Sequence, residues 1–300
     1  MQTESEWAGV FPAVTTRFNA DESLDRAGTA AGIRHQLDAG VDGVIVCGSL
    51  GEASTLRADE KLEVAAIARE VCAGRAPVLL TVAEDSTRAA CALARDAARQ
   101  GIDGLMVLPG LRYVSDEAET VAHFNAVADA ADVPLMIYNN PVAYGVDVGV
   151  RALEALARNP RFVAIKESSG DIRRVTEIRR ELGARYRIFG GVDNLALEAL
   201  MMGADGWVAG LCCAFPHETV AIHRAWRERR YDDALAIYRW FAPLLALDVS
   251  NKLVQNIKLA EAMVGVGTEH VRQPRLPLSG AERAAVVATV ERALATRPAL

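Results

Sequence analysis

A lysine set inside an apolar run is the first residue in this sequence whose type and place suggest chemistry. Lysine occurs four times, as Lys61, Lys166, Lys252 and Lys258, against 33 lysines and arginines together. Lys166 ends the run Phe162-Val163-Ala164-Ile165-Lys166, which reads as a β-strand. Alternation puts Phe162, Ala164 and Lys166 on one face, with Val163, Ile165 and Glu167 on the other. An ammonium buried without a partner costs several kcal/mol, so a lysine on an inward face tends to lose its proton. The free amine is a nucleophile that forms a Schiff base with a carbonyl carbon. The plainer alternative is a lysine snorkelling from a strand end into water.

A second run, Leu135-Met136-Ile137-Tyr138-Asn139-Asn140-Pro141, ends in a phenol and a turn. Adjacent strands lie roughly 4.8 Å apart, so Tyr138 on one strand reaches Lys166 on the next. A hydroxyl there can relay the protons that imine formation and hydrolysis require. An ordinary core tyrosine fits the same pattern. A third run ends in Cys47-Gly48-Ser49-Leu50-Gly51-Glu52. Two glycines flanking a serine bring backbone N–H groups and a hydroxyl towards an anion, and a substrate carboxylate suits such a cradle. The segment lacks the Lys-Ser/Thr of a nucleotide-binding loop. The Gly190-Gly191 turn suits either a tight bend or a phosphate. The five histidines show no ligand spacing and no paired carboxylates stand at the strand ends, so no metal centre is expected.

Eight apolar runs carry these residues. They begin at Val10, Gly43, Val78, Gly104, Leu135, Val163, Arg187 and Gly206, with helical periodicity between them, as in 27–39, 58–73, 87–100 and 118–131. Ser86, Ser115 and Asp171 stand where helices begin, and Asp103 and Asp205 stand before strands, all as capping residues. Strands apolar on both faces, alternating with helices, predict a parallel sheet. Eight units predict a closed (β/α)8 TIM barrel, whose chemistry sits at the carboxyl ends of the strands. A doubly wound sheet would place a glycine-rich turn after the first strand, where this chain has Thr15-Thr16-Arg17. Beyond the eighth run the sequence reads as helix only. Residues 1–225 are therefore expected to form the barrel and 226–300 a C-terminal helical extension packed on it.

The composition agrees. A hydrophobic share of 51% with 24% charged residues is that of a globular chain. A formal net charge of -6 argues against nucleic-acid and membrane partners. The first eleven residues lack a basic segment ahead of an apolar one, so no secretion signal is expected. Five unpatterned cysteines suggest a reducing, cytoplasmic location.

Gly48-Ser49-Leu50-Gly51-Glu52, Tyr138-Asn139-Asn140-Pro141 and 165–171 (Ile-Lys-Glu-Ser-Ser-Gly-Asp), in that order on a (β/α)8 pattern, resemble the dihydrodipicolinate synthase / N-acetylneuraminate lyase family. Gly191-Val192-Asp193 and Gly203-Ala204-Asp205-Gly206 extend the likeness over nearly the whole chain. The resemblance implies class I aldolase-type chemistry on 2-oxo acids without a cofactor. It assigns Lys166 as the Schiff-base lysine, Tyr138 as the proton relay, and Ser49 with nearby amides as the carboxylate cradle. It marks Gly48, Leu50, Asn140, Ser168 and Gly191 as substrate-binding positions, and it implies a homotetramer. Three departures stand out. Leu50 and Ala143 replace a hydroxyl residue and an arginine usual in dihydrodipicolinate synthases, and Gly110-Leu111-Arg112-Tyr113 replaces their tyrosine pair. Within the family the chain most resembles the 1-pyrroline-4-hydroxy-2-carboxylate deaminases of hydroxyproline catabolism, which implies a small cyclic imine carboxylate as substrate. The alternatives are a 2-keto-3-deoxy sugar acid dehydratase or aldolase, a dihydrodipicolinate synthase, a phosphosugar enzyme using Gly190-Gly191, and an inactive barrel serving as a binding module.

Overall fold

The computed structural model describes residues 7–300; the reading of no secretion signal rests partly on residues 1–6, outside that range. Eight parallel strands lie in the order β1-β8-β7-β6-β5-β4-β3-β2. They are β1 (Gly9–Pro12), β2 (Val44–Val46), β3 (Val78–Val82), β4 (Gly104–Val107), β5 (Leu135–Asn139), β6 (Phe162–Glu167), β7 (Arg187–Gly190) and β8 (Gly206–Ala209). A parallel bridge between Ala13 and Ile45, with Val14 N–H donating to the Ile45 carbonyl at 2.9 Å, joins β2 back to β1. The result is a (β/α)8 TIM barrel.

Helices α1 (Arg26–Asp38), α2 (Ala58–Cys72), α3 (Thr87–Arg99) and α4 (Glu117–Ala130) cover the first half. The single turn α5 (Pro141–Tyr144), then α6 (Val150–Leu156), α7 (Arg173–Leu182), α8 (Ala196–Met201) and α9 (Pro216–Arg227), follow the later strands. The chain ends in α10 (Tyr231–Leu245), α11 (Leu253–Met263) and α12 (Gly280–Ala295). Side chains from alternate positions fill the barrel, among them Phe11, Ile45, Leu79, Met106, Met136, Ala164, Phe189 and Val208. The opposite faces, such as Val44, Leu80, Leu105 and Ile165, pack under the helices. Both faces are dry, which is why the strands read as continuous apolar runs.

Three local readings change. Leu135 pairs with Phe162 but Met136 with Ala164, so Val163 is an extra residue in β6. This bulge turns Phe162 outward onto Phe124 of α4, while Ala164 stays inside. Ser115 does not begin α4; Asp116 does, accepting from Glu119 N–H at 2.8 Å, and Ser115 bonds Thr120 instead. Asp103 and Asp205 act as clips rather than as helix caps. Asp42, Asp103 and Asp205 accept the N–H of Val10, Val78 and Ile188 on the adjacent strand, at 2.8, 2.9 and 2.7 Å.

The C-terminal segment is fastened to the barrel through buried charge. Glu52, fully buried, accepts from the Lys258 amine and from Arg272 N–H at 3.1 Å. The Arg272 guanidinium spans both Glu60 oxygens at 3.0 Å and lies 4.2 Å from the Phe18 ring centroid. Arg17 meets Glu261 of α11 at 3.0 Å. Glu52 closes the loop that carries Ser49, so this clamp also positions the cavity wall. Arg272→Ala strips Glu60 of its bidentate partner and leaves two carbonyls without their donor. The expected cost is about 2–3 kcal/mol, read as a lower urea midpoint at unchanged slope; a midpoint equal to the parent's would mean that the clamp is dispensable.

Candidate functional site

The carboxyl ends of the strands open into a cavity of about 550 Å³. Its wall includes Gly48, Ser49, Leu50, Tyr138, Asn140, Lys166, Ser168 and Gly191, so every site position read from the sequence converges on one space.

The parallel register sets Tyr138 directly beside Lys166. The Lys166 amine lies 4.1 Å from the Tyr138 ring centroid, and both residues are largely buried. The phenol oxygen accepts from Asn140 Nδ2 at 3.1 Å, and Asn140 Oδ1 caps α5 through Ala143 N–H at 3.0 Å. Asn139 faces the other way and ties β5 to β6, donating to Glu167 at 2.9 Å. Glu167 therefore points away from the cavity, as alternation requires, and burial raises its carboxyl above the ordinary range.

Gly191 is a steric necessity. A Cβ there would sit 2.1 Å from Ser168 Oγ and 2.7 Å from Lys166 Cγ and Cε. Its bareness lets the lysine stem pass. The Ser168 hydroxyl is buried on the cavity wall without a protein partner, so it is open to a ligand. The space behind the Gly190-Gly191 turn holds only about 20 Å³ and is bordered by Glu167 and Asp171. That rules against a phosphate there on both size and charge.

Ser49 hydrogen-bonds the hydroxyl of Tyr144, a residue the sequence reading passed over. Pro141 at the start of α5 and Gly145 at its end, with φ of 77°, fold this one turn back so that Tyr144 meets Ser49. The Tyr144 and Tyr138 rings meet edge to face at 6.1 Å between centroids. Burial, and then Tyr138, push the Tyr144 phenol up to about 12. The N–H groups of Ser49 and Leu50 donate to no acceptor among the described residues, leaving two donors beside the Ser49 hydroxyl. Gly51 is the tight position of this loop, its added Cβ meeting Cys47 backbone at 3.0 Å, whereas Gly48 has room.

A carboxylate pair also escaped the sequence reading. Asp193, fully buried after β7, accepts from Trp207 Nε1 at 2.9 Å, Gly210 N–H at 3.0 Å and Leu211 N–H at 2.7 Å. Asp248, in the turn after α10, lies close enough to interact electrostatically with both Asp193 and Lys166. Burial raises both carboxyls, with Lys166 opposing. Asp193 stood at a strand end in the sequence, but Asp248 arrives from the helical extension, where no pattern marks it.

A closed parallel barrel with an amine in the wall of its carboxyl-end cavity is the architecture of a class I, Schiff-base-forming lyase. Comparison with known proteins narrows the class. The dihydrodipicolinate synthetase family matches residues 6–293. The 4-hydroxy-tetrahydrodipicolinate synthase of Methanosphaerula palustris is 31% identical over 282 residues, covering 93% of this chain and 96% of that protein. The dihydrodipicolinate synthase DapA-2 of Bacillus anthracis superposes with a TM-score of 0.91 at 26% identity, covering 95% of this chain and 98% of that one. YagE, a prophage protein of Escherichia coli K12 crystallised with pyruvate, also gives 0.91, at 28% identity over 97% of this chain and 99% of that one. The chain belongs to the dihydrodipicolinate synthetase family and is an enzyme of the class I, Schiff-base lysine, aldolase type.

Proposed function

We propose that the protein is a deaminase acting on a monocarboxylate cyclic imine, 1-pyrroline-4-hydroxy-2-carboxylate. One observation carries this reading: among the described residues lining the cavity, Lys166 is the sole basic side chain. Ala143 and Leu50, with Met106, Val142, Val192 and Val208, make much of the wall apolar, and the one carboxylic acid among the described residues there, Asp248, would repel an anion once ionised. A substrate with one carboxylate fits the donors around Ser49. A second carboxylate would lie against this wall uncompensated, at a cost of several kcal/mol. Dipicolinate-type products carry two.

In this reading Ser49 and the N–H groups of Ser49 and Leu50 hold the carboxylate, and the Ser168 hydroxyl bonds the ligand near Lys166. Asn140 fixes the Tyr138 phenol, and Gly191 leaves room for the lysine. The Lys166 amine adds to C2 of the ring imine, and the C2–N bond to the ring nitrogen breaks. A Schiff base remains at C2 with a free amine on C5. The imine withdraws electrons, so a proton leaves C3 and the C4 hydroxyl departs as water. Proton shifts from C5 to C3 and then from the amine nitrogen to C4 saturate the C3=C4 bond and convert the amine carbon to an imine. Water hydrolyses both imines, releasing ammonia, 2,5-dioxopentanoate and free Lys166. The balance is one substrate and one water in, one dioxo acid and one ammonia out. Tyr138 shuttles protons beside the lysine. The exposed apolar side chains of Tyr113 and Val114 support the homotetramer, and five free thiols suit a cytoplasmic setting.

The test is direct. The purified protein, given 1-pyrroline-4-hydroxy-2-carboxylate, is expected to release ammonia and 2,5-dioxopentanoate in equal amounts. Water loss from a 2-keto-3-deoxy sugar acid without ammonia from the pyrroline would replace this reading with the dehydratase. Condensation of pyruvate with aspartate semialdehyde at comparable kcat/KM would replace it with the synthase.

A further inference from the structure

Asp248 reaches the cavity from outside the barrel. It lies in the 3-10 turn Ala246–Asp248 between α10 and α11, and with Val249, Ser250 and Asn251 it forms part of the cavity wall. Its carboxyl packs on bare backbone: a Cβ on Gly210 would sit 2.5 Å from Asp248 Oδ1. The charged groups that face it are Asp193, from the turn after β7, and Lys166, at the end of β6. Its neighbours on α11, Leu253 at the cavity wall and Ile257 beside Gly210, are apolar.

The two carboxyls are treated differently. Asp193 receives N–H donors from Trp207, Gly210 and Leu211, which suit an anion. The Asp248 carboxyl takes part in no hydrogen bond or ion pair among the described residues. Two neighbouring carboxyls do not both ionise readily, and the proton goes to the member with fewer donors. Asp248 is that member, and it is the one that touches the cavity.

We propose that Asp248 is the catalytic acid that protonates the departing hydroxyl of the lysine-bound intermediate. The inference rests on the deaminase reading and adds to it the group that makes water loss possible. The step balances. With C3 deprotonated, the enamine nitrogen re-forms the C2=N bond and the C2=C3 pair becomes C3=C4. The C4–O bond breaks with its electrons on oxygen, and that oxygen takes the Asp248 proton and leaves as water. Asp248, now a carboxylate, regains a proton from solvent or from the C5 position as that carbon is oxidised to the imine. Burial beside Asp193 holds the Asp248 carboxyl well above the ordinary carboxylate range, so the acid form persists to higher pH than a free aspartate allows.

Asp248→Asn keeps the shape and removes the proton. The wild-type enzyme and the variant are given the pyrroline substrate, and the adduct is trapped with borohydride and weighed. The expected result is a kcat lower by roughly 10²–10⁴-fold with KM nearly unchanged. The trapped variant should carry the five-carbon adduct with its hydroxyl still present. The wild-type kcat should fall at alkaline pH as Asp248 ionises, and the variant should lack that limb. Asp248→Glu should restore part of the rate. Pyruvate trapped on Lys166 in the variant reports that the site is folded. If the wild type releases no ammonia, the deaminase reading has failed. If the wild type does but the variant turns over within threefold of it, or keeps the alkaline limb, the assignment of Asp248 is overturned. Loss of pyruvate trapping in step with turnover overturns it too, because the residue is then structural.

Discussion

Lys166→Met is expected to abolish turnover, lowering the rate by more than about 10⁴-fold, and to abolish borohydride-dependent labelling in the same step. Methionine approximates the lysine stem, which threads past Gly191 and Ser168, so packing at the bend of β7 is kept. What is lost is the nitrogen. Among the described residues lining the cavity there is no second amine, so no other side chain there can make the proposed covalent link to C2. The covalent link is what turns a poor leaving arrangement into an electron sink, and transition-state binding by Ser49 or Tyr138 cannot replace it. Intact-mass measurement after borohydride reduction with pyruvate checks the first half, and ammonia release checks the second. A variant that keeps a rate within tenfold of the parent would return the fold to a non-covalent enzyme or a binding module. A variant that labels as well as the parent would move the nucleophile elsewhere.

The residues nearest this chemistry were legible because strand periodicity is strict. Ala164 and Lys166 face inward, and neighbouring strands in register set Tyr138 beside the amine. The same rule misplaced Phe162, because one inserted residue in β6 shifts everything before it and leaves no mark in the sequence. The Ser49 loop was legible through its glycines, yet the glycine that matters sterically there is Gly51 and not Gly48. Tyr144 was hidden for a different reason. It depends on a single helical turn that folds back on its strand, and four residues are too few to show helical periodicity. Asp248 was the least visible. Its place is fixed by how the extension docks, through Lys258 and Arg272 on Glu52, and tertiary contacts of that range have no local signature.

Tyr138→Phe separates the two tasks that the proposed mechanism gives the phenol. The ring supplies a face to the lysine, at 4.1 Å from amine to centroid, and phenylalanine keeps it. The hydroxyl supplies a movable proton, oriented by Asn140 at 3.1 Å, and phenylalanine deletes it. If the hydroxyl relays protons during addition to the imine and its later hydrolysis, kcat should fall by roughly 10²–10⁴-fold. KM should move little, because the carboxylate donors around Ser49 are untouched. Schiff-base formation with pyruvate should slow without stopping, since the amine remains. Tyr144→Phe provides the contrast. It removes the bond to Ser49, so the hydroxyl proposed to hold the carboxylate loses its partner, and the larger change should appear in KM. Such a split between the two variants would place one phenol at the reacting nitrogen and the other at the carboxylate. A Tyr138→Phe enzyme with undiminished kcat would take that hydroxyl out of the proton path and leave the adjoining phenol, Tyr144, as the group to examine for the same task.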